Sequence, residues 1–254
     1  MRLLWTAIAL TTLAYLGLCA ALFVFQRSLI YMPQPRAVTT AHAPLRLRVD
    51  GAELVVSVRP RAGAKALVYF GGNAEDVSLN LETFGQWFPG HALYLLHYRG
   101  YGGSSGAPSE AANHGDAAAL FRAVAAQHAD VVIIGRSLGA GVAVRLASEQ
   151  PTASRLVLIT PFYSLADIAA AAYPFVPVRW LLRDTYESGR VAPGIRMPTT
   201  IIAAEHDEVI PRANTAKLFA RFADGVATMK VIPGAGHNTL DSQGVYRAVL
   251  QAAL

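Results

Sequence analysis

Residues 131–141 read VVIIGRSLGAG, and the fold turns on how this stretch is parsed. Val131 to Ile134 form an apolar run of the length expected for a strand buried on both faces. The run stops at Gly135-Arg136-Ser137-Leu138-Gly139, and a helical pattern follows from Leu138 to Glu149. A strand that turns sharply into a helix needs small residues beside the turn, so that the two elements can approach. Gly135 and Gly139 meet that need, and Gly141 adds room on the helix.

The same alternation continues in both directions. Strands are expected at 66–70, 92–98, 130–135, 155–160, 199–204 and 228–232, with helices at 75–88, 110–128, 138–149, 212–222 and 240–253. Upstream, LRLRVDGAELVVSV carries two alternating runs about Asp50-Gly51, a dipeptide suited to a two-residue hairpin turn. Short apolar strands alternating with helices imply parallel crossovers. The expected class is therefore α/β, with a mostly parallel sheet and an antiparallel hairpin at its beginning. Residues 161–197 are less regular, with prolines at 161, 174, 177 and 193, and read as a short cap. Its aromatic residues Phe162, Tyr163, Tyr173, Phe175 and Trp180 could line an acyl groove or pack the cap on the sheet.

Hydrophobic residues make up 53% of the 254 positions and charged ones 15%, and the apolar excess sits at the front. Leu3–Phe25 carries no charge and, as a helix, would measure about 35 Å. It reads as an uncleaved membrane anchor. A cleaved signal would want a shorter run, and a lipoprotein site at Cys19 would want a small residue where Leu18 stands. Arg2, Arg27 and Arg36 do not set an orientation. SLIYMPQPR, with two prolines, reads as an extended exit. The expected division is an anchor at 1–26, a linker at 27–44 and a catalytic domain at 45–254, capped at about 161–197. Cys19 is the single cysteine, which excludes an intrachain disulfide. A net charge of +5 without a basic block gives no reason to expect a nucleic-acid partner.

A serine held out on a strand–turn–helix junction is the setting of a nucleophile elbow, which makes Ser137 a candidate nucleophile. Its hydroxyl needs a base. Among seven histidines, His237 stands in a glycine-rich loop directly after the last strand, on the edge where sites of parallel sheets form. His42 precedes the domain, His91, His114 and His128 fall near element ends, and His206 adjoins a carboxylate candidate. The base needs an orienting carboxylate. Asp207 follows strand 199–204, flanked by Glu205 and Glu208, and Asp167 and Asp184 are alternatives from the cap. An oxyanion needs backbone donors. These are expected from Leu138, at the helix start, and from Asn73, in the YFGGNAED loop after strand 66–70.

QRSLIYMP, YFGGNAEDVS, YRGYGGSSG, GRSLGAG, TPFYSL, EHDEVIP and PGAGHNTL follow one another over residues 26–240. In this order they resemble the α/β-hydrolase family, and more closely its membrane-anchored bud-emergence-type subgroup, related to lysophospholipases and protein depalmitoylases. The resemblance implies a Ser137–His237–Asp207 triad, Asn73 and Leu138 at the oxyanion hole, and hydrolysis of acyl esters or thioesters, including lipid-derived ones, through an acyl-enzyme. Two positions depart from the pattern: relatives often have histidine where Gly71 stands and aspartate where His97 stands. A peptidase or amidase would use the same triad, and a non-catalytic binding protein could keep the fold. No cofactor is expected, because GGNAED lacks the third glycine of a dinucleotide loop. No metal is expected either, because no HExxH or clustered ligand set occurs. The oligomeric state is not legible.

Overall fold

The computed structural model describes residues 1–37 and 43–254, so His42 lies outside the described residues. The apolar runs become strands β1 (Leu45–Val49), β2 (Ala52–Arg59), β3 (Lys65–Phe70), β4 (Ala92–Leu96), β5 (Asp130–Arg136), β6 (Arg155–Ile159), β7 (Thr199–Ala204) and β8 (Ala227–Ile232). They form one sheet in the order β1-β2-β4-β3-β5-β6-β7-β8. Val49 pairs with Ala52 across the expected hairpin turn, where Gly51 takes a φ of 70° that most side chains resist. β2 is antiparallel to both its neighbours, and every other adjacent pair is parallel. This is the α/β-hydrolase arrangement with its leading hairpin.

Burial on both faces explains why the central strands are apolar throughout instead of alternating. Ala66, Val68, Phe70, Val131 and Ile133 share one core with residues of α3 (Glu110–Ala125) and α4 (Leu138–Glu149). Leu67, Tyr69, Val132 and Ile134 point the other way, toward α2 (Asn80–Trp87) and the C-terminal helix Gly244–Ala252. Each such buried aliphatic or aromatic side chain contributes roughly 1.5–3 kcal/mol relative to exposure. The α2 region begins later than expected, because a 3-10 turn at Val77–Leu79, capped by Asp76, precedes it. The last helix begins at Gly244 where the sequence suggested 240.

The cap at 161–197 contains three short helices, α5 (Leu165–Ala172), α6 (Val178–Leu181) and α7 (Ser188–Val191). Pro174 and Pro177 separate the first two, and helices of four residues are too short to show a period in sequence.

The N-terminal helix α1 runs from Arg2 to Ile30, four residues beyond the expected anchor boundary. Nothing between Arg27 and Ile30 breaks a helix, and the chain becomes extended only at Tyr31, two residues before Pro33. With a mean hydropathy of 2.2 in its most apolar window, α1 is long and apolar enough to cross a bilayer, a test that a signal sequence also passes.

The start of the expected linker is part of the fold. Tyr31 is buried, and its hydroxyl donates to Asp184 at 3.1 Å. Arg27 pairs with the same carboxylate at 3.0 Å. Gln34 and Ala37 are tied to the domain through Gly102 and Asp76. Sequence composition missed this because two prolines signal extended backbone and are silent on what that backbone touches.

Candidate active site

Ser137 sits between β5 and α4 with φ 50° and ψ −116°. A non-glycine residue held there stores about 1–3 kcal/mol of strain. The surrounding packing enforces it. A Cβ on Gly139 would lie 2.5 Å from the Gly71 carbonyl oxygen, and one on Gly135 would lie 2.6 Å from the Ala143 methyl. The Ser137 N–H donates to Ile159 O at 2.9 Å, which ties the turn to the neighbouring strand.

The hydroxyl faces His237, with Nε2 3.0 Å from Oγ. On the other side of the ring, Nδ1 lies 2.9 and 3.0 Å from the two Asp207 oxygens. A carboxylate only accepts, so this contact puts the ring proton on Nδ1 and leaves the Nε2 lone pair toward Ser137. The side chains of His237 and Asp207 are 6% and 3% exposed, which shields their interaction from water. Asp207 is itself fixed, because Oδ1 also accepts the N–H groups of Val209 and Ile210.

The alternative carboxylates are engaged elsewhere. Glu205 accepts Gly234 N–H and Glu208 accepts His237 N–H, both at 2.9 Å, so the two glutamates brace the histidine loop. The bond from His237 N–H holds the Glu208 carboxyl below its usual range. Asp167 binds Arg179 and Lys217. Asp184 binds Arg27 and Tyr31. Among the other histidines, His128 bonds Tyr94, His91 and His114 pack against aromatic rings, and His206 is exposed beside Glu205.

The β3 loop passes directly over the serine, since a Cβ on Gly72 would lie 3.6 Å from Ser137 Cβ. The Asn73 N–H has no acceptor among the described residues. Leu138 N–H opens α4, where the helix supplies no partner. The Asn73 side chain turns away from the serine and fastens the loop to the end of α1. Its Nδ2 donates to Ile30 O at 2.5 Å, and its Oδ1 accepts from Met32 N–H at 3.0 Å and from the Tyr101 hydroxyl at 2.9 Å.

Sequence reasoning missed a second brace. Glu75 accepts Gly72 N–H at 2.6 Å, the Tyr69 hydroxyl at 2.7 Å and the Asn80 amide at 2.7 Å. Arg136, the residue before the serine, reaches Glu75 at 3.4 Å and the His237 carbonyl oxygen at 3.4 Å. One cation thus links the Ser137 turn, the β3 loop and the His237 loop. A charged residue at an element end, followed by a serine, was the only signal for it.

The two departures from the family pattern have local causes. Gly71 is crowded by Val77, because a Cβ there would fall inside the valine side chain, so the loop packs too tightly for a larger residue. His97 is 1% exposed, bonds Ser57 at 2.9 Å and carries its pKa down to about 4 through burial. It is a neutral packing group held against β2, away from the Ser137 cleft.

Ser137, His237, Gly72, Asn73 and Arg136 line a cleft of about 530 Å³, with Met32, Leu79 and Val209 supplying apolar walls. None of the five cap aromatics lines it. Phe162 is buried against Tyr186, and Tyr163 lies under Lys217. Tyr173, Phe175 and Trp180 are exposed, and Tyr173 lines a pocket shared with α1. Of the two roles open to the cap aromatics, an acyl groove is therefore not built at the serine. No group of three or more metal-binding side chains occurs among the described residues.

A family model described as serine aminopeptidase, S33 (Hydrolase_4), matches residues 64–194, just over half of the chain. The chain belongs to the α/β-hydrolase family. The matched span contains Ser137 and the β3 loop and ends before Asp207 and His237, which the fold itself brings in. Over 249 residues the chain is 34% identical to an uncharacterized protein of Mycobacterium tuberculosis, covering 91% of this chain and 87% of the relative. It is 24% identical over 244 residues to protein bem46 of Schizosaccharomyces pombe, covering 85% and 81%. The fold is shared with the Pyrococcus furiosus esterase Pf2001, with a TM-score of 0.71 and 17% identity, over 88% of this chain and 98% of that one.

Proposed function

We propose that this α/β hydrolase is a membrane-anchored serine hydrolase that cleaves acyl esters or thioesters through an acyl-enzyme. The continuous hydrogen-bonded line Ser137–His237–Asp207 carries the reading. Ser137 Oγ attacks the acyl carbonyl carbon as His237 Nε2 takes its proton. Asp207 holds the imidazolium that forms, and the Asn73 and Leu138 N–H groups face the developing oxyanion. His237 then protonates the departing alkoxide or thiolate. A water molecule, deprotonated by the same nitrogen, attacks the acyl-serine and releases the acid. Helix α1 holds the domain at the bilayer.

The family description and the acidic residues beside the cleft favour one other reading, an aminopeptidase whose carboxylates bind a substrate ammonium. The occupancy of two of the three cleft carboxylates opposes it. Glu75 already accepts four donors, and Asp76 accepts Ala37 and Ser78 N–H groups, which leaves Asp241 as the one cleft carboxylate without a partner among the described residues. The deciding experiment compares p-nitrophenyl butyrate with aminoacyl p-nitroanilides, using detergent-solubilised full-length protein. Ester turnover without anilide turnover is expected. Anilide cleavage at a comparable rate would make the protein a peptidase.

Asn73→Ala keeps the backbone donor but removes every bond between the oxyanion loop and the end of α1. A donor displaced by about 1 Å costs on the order of 10² in rate. We expect kcat to fall by about that factor, with KM and the thermal midpoint little changed. An unchanged kcat would show that Glu75 alone positions the loop.

A further inference from the structure

Helix α1 is not a free stalk. Its residues 15, 19, 22 and 26 lie on one side, and this side is turned to the cap. The Tyr15 hydroxyl donates to Phe175 O at 2.8 Å. Leu22 faces Tyr173, Val176 and Leu182 across a small apolar pocket. Gln26, 7% exposed, donates to Leu181 O at 3.1 Å and accepts Arg183 N–H at 2.6 Å. The cap therefore runs beside α1 for three turns.

That contact conflicts with a cap in water. A bilayer core needs about 20 apolar residues, and every window of that length within Leu3–Phe25 includes residues 6–22. Tyr15 and Leu22 are in hydrocarbon in all of them. From Arg27, the first charge after the run, Tyr15 is twelve residues up the helix, or about 18 Å. One leaflet of hydrocarbon is about 15 Å deep. Tyr15 is then near the bilayer midplane, and whatever touches it lies in hydrocarbon.

The cap segment is built for such a place. Phe175 is 87% exposed and Trp180 90% exposed, the two most exposed large hydrophobic side chains of the cap. Between Ala169 and Leu182 the only charge is Arg179, which is paired with Asp167. Backbone groups in hydrocarbon must be satisfied internally. Six of the eight N–H groups from Tyr173 to Leu182 donate to carbonyls between Ala169 and Val178, prolines 174 and 177 have none to satisfy, and those of Phe175 and Arg179 have no acceptor among the described residues. Arg183, whose guanidinium lies 4.1 Å above the Phe23 ring, and Arg27 stand where the segment ends, at the level of lipid phosphates.

We propose that the cap segment 173–182 is itself embedded in the lipid leaflet alongside α1, with Phe175 and Trp180 among the acyl chains. The occupant of this apolar face is phospholipid, because the face is continuous with a helix that already has the length and composition of a membrane span. The inference rests on the reading of α1 as an anchor. It also sets where the substrate arrives: Met32, two residues past α1, lines the Ser137 cleft, so the cleft opens at the bilayer surface.

Tryptophan quenching in vesicles tests this with the full chain. Trp5 marks α1 and Trp180 marks the cap, with Trp87 as a common background removed by subtracting a W5F/W180F variant. W5F and W180F proteins are reconstituted in phosphatidylcholine vesicles containing lipids brominated on the acyl chains. We expect the Trp180 signal of W5F to lose most of its intensity to brominated lipid and little to aqueous iodide. If iodide quenches Trp180 while Trp5 in W180F is quenched by brominated lipid, the cap is in water and the proposal fails, with the anchor intact. If neither tryptophan responds to brominated lipid, both readings fail. If Trp180 is shielded from both quenchers, a second copy of the chain covers the face and the proposal is overturned.

Discussion

Ser137→Ala is expected to abolish covalent labelling by a fluorophosphonate and to lower ester turnover by a factor on the order of 10⁶. The reason is chemical and local. On the proposed reading this hydroxyl accepts the acyl group: it lies 3.0 Å from His237 Nε2 and lines the cleft, whereas the other histidine-bonded serine, Ser57, is buried. The substitution leaves the backbone turn in place, because alanine at φ 50° pays the same steric cost as serine and the glycines on either side are unchanged. The variant should therefore fold, with a near-native thermal midpoint, and should still bind ester in its cleft. Labelling at the wild-type level would assign the nucleophile to another serine.

Asp207→Asn should cost about 10⁴ in kcat. An amide can present its NH₂ to His237 Nδ1, which would move the ring proton to Nε2 and point a donor at Ser137 where an acceptor is required. The imidazolium formed during attack would also lose its counter-charge. Little of this loss should appear in KM, since Asp207 makes no contact with the cleft. Glu205→Gln and Glu208→Gln should be far milder, because each glutamate accepts a backbone N–H that a glutamine oxygen can still accept. A larger loss from either glutamate than from Asp207 would reassign the orienting carboxylate. Rate comparisons across the three variants at one pH, with thermal midpoints as a control, decide the point.

The alternation of short apolar runs with helices was legible without coordinates, because a strand covered on both faces must be apolar along its whole length. The turn at 135–139 was equally legible. Only glycines let the strand and helix close on each other there, and the contacts that a Cβ would make with Gly71 and Ala143 show how little space is left. The chain order of serine, aspartate and histidine could be inferred for a similar reason, since each stands in a loop directly after a predicted strand and those loops share one edge of a parallel sheet.

Other features depended on contacts between residues far apart in the chain. Periodicity does not report that Asn73 turns its amide toward Ile30 and Met32, because the partners are about forty residues away and joined through backbone atoms that every residue has. Nor does it report that Glu75 and Arg136 connect three loops, since a carboxylate and a guanidinium in sequence carry no address for each other. The cap aromatics make the same point from the other side. Composition marked Phe162 and Trp180 as equal candidates for an acyl groove. Packing buried Phe162 against Tyr186 and left Trp180 exposed on the cap. By itself the sequence determined the strands, the fold class and the loops that carry Ser137, Asp207 and His237, because these follow from local spacing and side-chain type. Only the tertiary structure decided what braces the β3 loop and which apolar face is left uncovered, because both depend on which distant surfaces meet.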